Sequence, residues 1–66
     1  MLLHLNGQAT DLPAGFTTQQ LLERMELAGK RVAVEVNGEI VPRSTHADHE
    51  LKDGDKVEIV HAIGGG

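Results

Sequence analysis

Two Asn-Gly pairs constrain the fold of this chain more than any other sequence feature. Asn-Gly is the preferred pair for a two-residue hairpin turn, because both central positions of that turn need a positive φ. Asn6-Gly7 and Asn37-Gly38 each separate two short runs that carry apolar residues at alternate positions. Two hairpins in 66 residues leave room for one small domain whose strands join in one sheet. The flanking strands are predicted at 1–5, 8–12, 31–36 and 39–41.

The segment between the two hairpins carries the signals of one helix. Thr17 is a candidate N-cap, and Gln20 follows at the spacing of a capping box. Phe16 and Leu21 occupy the two positions of a hydrophobic staple, and Gly29 is a natural C-cap. Leu21, Leu22 and Met25 form the apolar stripe. These signals predict a helix of about three turns, which is too short to stand alone and must pack on a sheet.

The rest of the chain predicts a loop and one more strand. Arg43 to Glu50 is polar and irregular, with room for one helical turn, and Leu51 is its expected buried anchor. Asp53-Gly54-Asp55 turns the chain into a last strand over 56–63. Val57 and Ile59 are predicted to face the core from this strand.

Together these elements predict an α+β fold of the β-grasp type. It has a mixed sheet of four to five strands with one helix packed on one face. The last strand is expected to be central and parallel to the first, because it is the longest apolar run left. We predict a domain over 1–63, followed by a flexible glycine tail over 64–66.

Composition excludes several classes of function. The chain has no cysteine, which excludes disulfides, iron–sulfur ligation and a thiol nucleophile. The net charge is −4, and the six basic residues form no block, so neither nucleic acid nor a membrane is an expected partner. No apolar run reaches membrane-spanning length, and the start reads as a strand rather than a signal peptide. We therefore expect a cytoplasmic protein.

The polar side chains form no convincing catalytic or metal site. His46 and His49 are three residues apart, and His4 and His61 could lie near each other if the first and last strands pair. A structural zinc site needs about four ligands, so surface or rim histidines are the better interpretation. Ser44, His46 and Asp48 contain the residue types of a triad, but triads converge from separated segments. We predict no catalytic residue and no metal site.

The C-terminus is the remaining candidate site. A strand runs directly into Gly64, Gly65 and Gly66, which contribute nothing to a core and leave a free carboxylate on Gly66. If Val57 and Ile59 point inward, then the side chains next to them face the other side of the sheet, with Ala33 and Leu2 as candidate neighbours. Single exposed aliphatic residues are normal on protein surfaces, but these adjoin the tail. The predicted docking face consists of Glu58, Val60, Ala62 and Ile63.

Four stretches carry a family resemblance: Thr17-x-x-x-Leu21-Leu22, Val36-Asn37-Gly38-Glu39-Ile40-Val41-Pro42-Arg43, Asp53-Gly54-Asp55 and the terminal Gly-Gly-Gly. Through them the whole chain resembles the ubiquitin-like sulfur carrier proteins, and among these it is most similar to the ThiS family of thiamine biosynthesis. The terminal glycines are shared by ubiquitin-like proteins generally, and the stretch from Asn37 to Arg43 in so short a chain is more specific. The family often carries a bulky aromatic residue near His46, which this chain does not.

This resemblance implies a carrier rather than an enzyme. An adenylating E1-like enzyme would use ATP and Mg²⁺ to convert the Gly66 carboxylate to an acyl-adenylate. A sulfur donor, such as a cysteine desulfurase or a rhodanese-like protein, would replace AMP and leave a thiocarboxylate. Thiazole synthase would then receive the sulfur, and the carrier itself would bind no cofactor. Two alternatives stay open: a carrier of the molybdopterin synthase small-subunit type, and a β-grasp module that binds partners non-covalently.

Overall fold

The structure, a computed structural model, describes residues 1–61, and residues 62–66 lie outside the described part. Within residues 1–61, two β-hairpins are joined by one helix and followed by a fifth strand. The strands are β1 Leu2–Leu5, β2 Gln8–Asp11, β3 Val32–Val36, β4 Glu39–Ile40 and β5 Lys56–His61. The helix α1 spans Thr18–Arg24, and a single 3₁₀ turn spans Arg43–Thr45. This element order agrees with the order predicted from the sequence.

Both hairpins close with the turn that Asn-Gly favours. Asn6 and Asn37 have φ of 49° and 54°, and Gly7 and Gly38 have φ of 83° and 85°. These are the left-handed values that a type I′ turn requires at both central positions. A two-residue turn also fixes the register of its strands, and the pairing of Leu5 with Gln8 and of Val36 with Glu39 follows from it.

The five strands form one mixed sheet in the order β2-β1-β5-β3-β4. β5 is central, parallel to β1 on one side and antiparallel to β3 on the other, as predicted. The outer strands are short, and each is followed by a proline within two residues, Pro13 after β2 and Pro42 after β4. Proline has no N–H to donate, which suits the rim of a sheet.

One face of the sheet is covered by α1, and the core lies between them. Leu3, Val34 and Val57 are fully buried from the sheet side, and Leu21 and Leu22 are buried from the helix. Phe16 and Met25 pack against this cluster from its margin. The other face of the sheet is uncovered. Among residues 1–61, the buried apolar residues are Leu3, Leu12, Leu21, Leu22, Val34, Val36, Val41, Leu51, Val57 and Ile59.

The start of α1 is as predicted. The Thr17 hydroxyl accepts the Gln20 N–H at 3.1 Å, and the Gln20 side chain accepts the Thr17 N–H at 2.9 Å, which is the reciprocal pair of a capping box. The two bonds satisfy two of the N–H groups that a helix start otherwise leaves unpaired.

The predicted end of the helix is wrong. The helix has 7 residues and its C-cap is Met25, so Gly29 is not the cap. Glu26 takes a φ of 60°, and the Leu27 N–H reaches back to the Leu22 carbonyl at 2.7 Å. The Glu26 N–H also donates to the Glu23 carbonyl at 3.0 Å, which completes a Schellman motif. This early end lets Leu27 pack against the core, and the sequence hides it because glutamate rarely adopts a positive φ.

The loop after β4 contains one turn of 3₁₀ helix and is anchored by Leu51, as predicted. His46 contradicts the prediction of a surface or rim histidine, because only 4% of its surface is exposed. Its Nε2 lies 3.0 Å from the Val41 carbonyl oxygen. A carbonyl can only accept, so Nε2 carries the proton and donates it. His46 therefore acts as the loop's second buried anchor, in a part of the chain that is otherwise polar.

Candidate functional site

β5 leads in sequence to the C-terminal glycines, and its side chains alternate between the core and the uncovered face. Val57 and Ile59 are buried under α1, as predicted. Glu58 and Val60 lie on the uncovered face, where 54% of the Val60 side chain is exposed. The strand is held in this phase by β3, with which it makes five registered pairs from Val36↔Val57 to Val32↔His61.

The uncovered face continues from β5 across β3 to β4. Ala33 lies directly opposite Val60, and Glu35 directly opposite Glu58. Ile40 lies opposite Glu35, and 66% of its surface is exposed. Opposite residues on one sheet face have Cβ atoms about 4.5–5.5 Å apart, so these five side chains form one continuous patch.

Sequence reasoning missed two members of this patch, Glu35 and Ile40. The signal was present in the second turn, because a two-residue Asn37-Gly38 loop fixes Val36 opposite Glu39 and hence Glu35 opposite Ile40. Leu2 shares the uncovered face, as expected, but β1 is parallel to β5 and pairs only with its first residues. Leu2 therefore lies at the opposite end of the face from Val60.

The patch carries two negative charges. Glu35 and Glu58 are opposed across the two strands, and like charges in that position repel. Within residues 1–61 the structure contains a single ion pair, between the Met1 amino group and Asp11 at 3.5 Å, so neither glutamate has a basic partner there. The combination of exposed aliphatic groups and two carboxylates suits a partner surface that is apolar and basic.

The remaining predicted site residues fall on the undescribed part of the chain. These are the docking residues Ala62 and Ile63, the tail residues Gly64 and Gly65, and the carboxylate of Gly66. Their roles stay predictions, as does the division into a domain over 1–63 and a tail over 64–66.

The histidines do not assemble. His4 lies opposite Lys56, at the beginning of β5, whereas His61 ends that strand five residues later, about 16 Å further along. The expectation that these two histidines approach each other is therefore wrong. His46 is buried on a backbone carbonyl, which separates it from Ser44 and Asp48, both exposed. Across residues 1–61 no three metal-ligating side chains come together.

A groove of about 380 Å³ lies beside β4, between this strand and the loop that follows it. Ile40, Pro42, His49 and Lys52 are among its lining residues. Neither Glu58 nor Val60 borders it.

Over the described range, the structure also contains no helix of the length and apolarity needed to cross a membrane.

The fold and the site define a class: a ubiquitin-like β-grasp protein whose central last strand leads to a terminal glycine run. Comparison with known proteins narrows this class to one family. The sequence model of the ThiS family matches residues 3–66, and the chain belongs to that family. The predicted family and the predicted β-grasp fold are both confirmed.

Relatives along the whole chain support the same family. The chain is 36% identical to the sulfur carrier protein ThiS of Escherichia coli, with all of both chains covered. It is 41% identical to the sulfur carrier protein ThiS of Bacillus subtilis, over 98% of this chain and all of the relative. The crystal structure of the thiamine biosynthesis protein ThiS from Geobacter metallireducens superposes with a TM-score of 0.87 at 33% identity, covering all of both chains.

Another group of relatives is much longer. The chain is 46% identical over its full length to part of a protein from Paramagnetospirillum magneticum named thiazole synthase. It spans 20% of that relative, and the same share of a second thiazole synthase, from Magnetococcus marinus. A ThiS-like segment therefore occurs within longer chains that carry this name.

Proposed function

We propose that this chain is a protein sulfur carrier of thiamine biosynthesis and that the Gly66 carboxylate is the group that carries the sulfur. The observation that supports this most is the position of β5. It is the central strand, its inner face is locked in the core, and the next residues in sequence lead to Gly64-Gly65-Gly66. Membership in the ThiS family, with full-length relatives named as sulfur carriers, supports the same function.

The chemistry requires activation because a carboxylate is a poor electrophile. An E1-like partner would hold ATP and Mg²⁺, and a Gly66 carboxylate oxygen would attack the α-phosphorus with loss of pyrophosphate. The persulfide sulfur of a cysteine desulfurase or a rhodanese-like protein would then attack the acyl carbon and displace AMP, which leaves an acyl disulfide to the donor cysteine. A thiol would cleave that S–S bond, forming a disulfide with the donor cysteine and releasing the sulfur on Gly66. The product is a C-terminal thiocarboxylate. In this scheme the chain is a co-substrate and not an enzyme, and it acts in the cytoplasm.

Three terminal glycines suit this chemistry. A backbone without side chains can enter a narrow channel, and its peptide groups can hydrogen-bond to the channel walls. The β-grasp domain then has the task of recognition. No side chain of the carrier has to take part in bond making.

We propose thiazole synthase as the acceptor of the sulfur. The support comes from the relatives named thiazole synthase that contain a segment like this chain. Placing both parts in one polypeptide raises the effective concentration of each for the other, which favours parts that act together.

We propose that the partners dock on the end of the uncovered face nearest the tail. Glu58 and Val60 are at its centre, and Ala62 and Ile63 follow them in sequence. It extends across the sheet through Ala33, Glu35 and Ile40. This location would let one contact surface both bind the domain and direct the C-terminus into the partner's active site.

The decisive experiment is the intact mass of the protein after incubation with ATP, Mg²⁺, the adenylating enzyme and a sulfur donor. The mass should rise by the difference between sulfur and oxygen, and the gain should map to the C-terminal residue. A chain lacking Gly66 is the matched control, since it should keep the fold but present its carboxylate about 3.5 Å short. Partner binding without adenylate and without a mass change would instead establish a non-covalent module.

The docking face is tested separately with two matched substitutions. Val60→Asp and Leu2→Asp alter residues of similar exposure, 54% and 52%, on opposite ends of the same uncovered face. Val60→Asp should weaken binding of the adenylating enzyme by about 10- to 100-fold, as expected for a central contact, and Leu2→Asp should change it little. Circular dichroism should show both variants folded. Equal weakening by the two would contradict a docking site near the tail.

A further inference from the structure

Asn6 lies where β1 leaves the sheet, next to the outgoing half of β5. β1 is paired with β5 only at His4↔Lys56 and Leu5↔Val57. On the other side, β3 accompanies β5 as far as Val32↔His61. Within the described residues, β5 therefore continues beyond the point where its β1 neighbour turns away.

At this point the Asn6 side chain makes the hydrogen bond to β5 that the main chain of β1 no longer makes. The Asn6 N–H donates to the Val57 carbonyl at 2.9 Å, as in a regular parallel pair. In such a pair the main-chain carbonyl of Asn6 would next accept the N–H of Ile59. Instead a φ of 49° turns the chain into the hairpin, and the side-chain Oδ1 accepts the Ile59 N–H at 2.9 Å. The side-chain amide thus completes the pairing that the turn interrupts.

This position needs a specific kind of residue. It must adopt a positive φ, and it must carry a short side chain with an acceptor oxygen. Glycine meets the first requirement only, whereas asparagine and aspartate meet both. The hydrogen bond is partly buried and joins residues 53 positions apart, so it links the first hairpin to the strand that leads to the C-terminus.

We propose that Asn6 is a positioning residue for the C-terminal carboxylate. This inference rests on the proposed function. Gly66 is the seventh residue after Ile59, a span of at most about 25 Å when extended. Asn6 fixes β5 at the start of that span on the side that β1 leaves open. Without its acceptor the strand end gains freedom that must be lost again before Gly66 can react.

Asn37 provides a matched control at the other end of β5. Its N–H donates to the Lys56 carbonyl at 2.8 Å, and its Oδ1 accepts the Lys56 N–H at 2.9 Å. The side chain again replaces a main-chain carbonyl, but at the entry of β5. Asn37→Gly therefore removes the same kind of bond, together with the bond from Asn37 Nδ2 to Asp55, and adds a glycine to the same kind of turn at the first residue of β5.

The test compares the natural chain with Asn6→Gly, Asn6→Asp and Asn37→Gly. Backbone amide exchange is read at Ile59 and Lys56, and kcat/KM is measured for adenylation by the partner enzyme. Asn6→Gly should speed exchange at Ile59 by roughly tenfold beyond any global change and lower kcat/KM about five- to tenfold. Asn6→Asp keeps an acceptor and should restore both quantities. Asn37→Gly should speed exchange at Lys56 and leave kcat/KM within about twofold.

Three results would overturn the inference: equal effects of Asn6→Gly and Asn37→Gly on adenylation, no rescue by Asn6→Asp, or faster exchange at Ile59 with unchanged adenylation. If the natural chain itself is not adenylated, the proposed function fails instead. The exchange measurements distinguish these cases, because they report the Asn6–Ile59 bond without any partner.

Discussion

The two Asn-Gly turns share a sequence and a backbone conformation but differ in what they hold. Each uses the asparagine side-chain oxygen to accept an N–H of β5. Asn37 does so at the entry of the strand and also donates its Nδ2 to Asp55 at 3.0 Å. Asp55 in turn accepts the Lys52 N–H at 2.8 Å, so the entry is part of a network. At the exit, Asn6 makes one side-chain bond, to Ile59.

This difference shows that a local signal does not determine its long-range role. The same dipeptide closes two hairpins, and the register of β5 decides which of its N–H groups each asparagine meets. Several mutually supporting hydrogen bonds fix the first residue of β5. Its second half is fixed by β3 and by the amide oxygen of Asn6. The stabilising hydrogen bonds are therefore concentrated at the start of β5, before the C-terminal residues that are proposed to carry the sulfur.

The largest expected effect is that of removing the entry network. Asn37→Ala takes away two side-chain hydrogen bonds and puts a non-glycine, non-asparagine residue at positive φ. Hydrogen bonds of about 1 kcal/mol each and a left-handed penalty of about 1 kcal/mol predict a loss of about 2–3 kcal/mol. Urea denaturation measures it. Asn6→Ala, which loses one hydrogen bond, should lower the free energy of unfolding by less. Equal losses in the two variants would contradict a stronger network at Asn37.

Replacing each asparagine by aspartate should distinguish the two turns more clearly by its effect on the free energy of unfolding. Asn6→Asp keeps the acceptor for Ile59 and should change the free energy of unfolding by less than about 0.5 kcal/mol. Asn37→Asp replaces the donor to Asp55 by a second carboxylate and should cost about 1–2 kcal/mol. Because the repulsion is near the surface, added salt should reduce the loss in Asn37→Asp only. Salt-independent losses at both sites would contradict the assigned contacts.

A small gain is expected at Glu26, which with Asn6 and Asn37 is one of the three non-glycine residues with positive φ within residues 1–61. Glu26 ends α1 at φ 60°, without an asparagine's tolerance for that conformation. Glu26→Gly should stabilise the fold by about 0.5–1 kcal/mol, measured as a rise in melting temperature. Glu23→Gly, inside the helix, is the control and should destabilise by about 1 kcal/mol.

Sequence reasoning was most successful where a few adjacent residues carry the whole signal. The Asn-Gly turns, the capping box of Thr17 and Gln20, and the alternation of Val57 and Ile59 are local patterns, and each is confirmed. The helix end failed because Glu26 adopts a backbone conformation that its residue type disfavours.

Burial of His46 and the acceptor roles of Asn6 and Asn37 could not be predicted either. Each depends on a contact that the fold creates: His46 with the Val41 carbonyl, and the two asparagines with N–H groups of β5. The patch on the uncovered face was predicted in part, since alternation gives the outward residues of one strand. Ala33 was also expected there, whereas Glu35 and Ile40 follow only from the register between strands.

The short outer strands, each followed by a proline, limit strand pairing between copies of the domain. A sheet rim with unpaired peptide groups can recruit another copy of the same chain and grow into aggregates. Here β4 has two residues before Val41 and Pro42, and β2 has four before Leu12 and Pro13. Each rim therefore offers few peptide groups in a row to an incoming strand. Edge-to-edge pairing between copies of the domain is therefore disfavoured, although the uncovered face stays exposed.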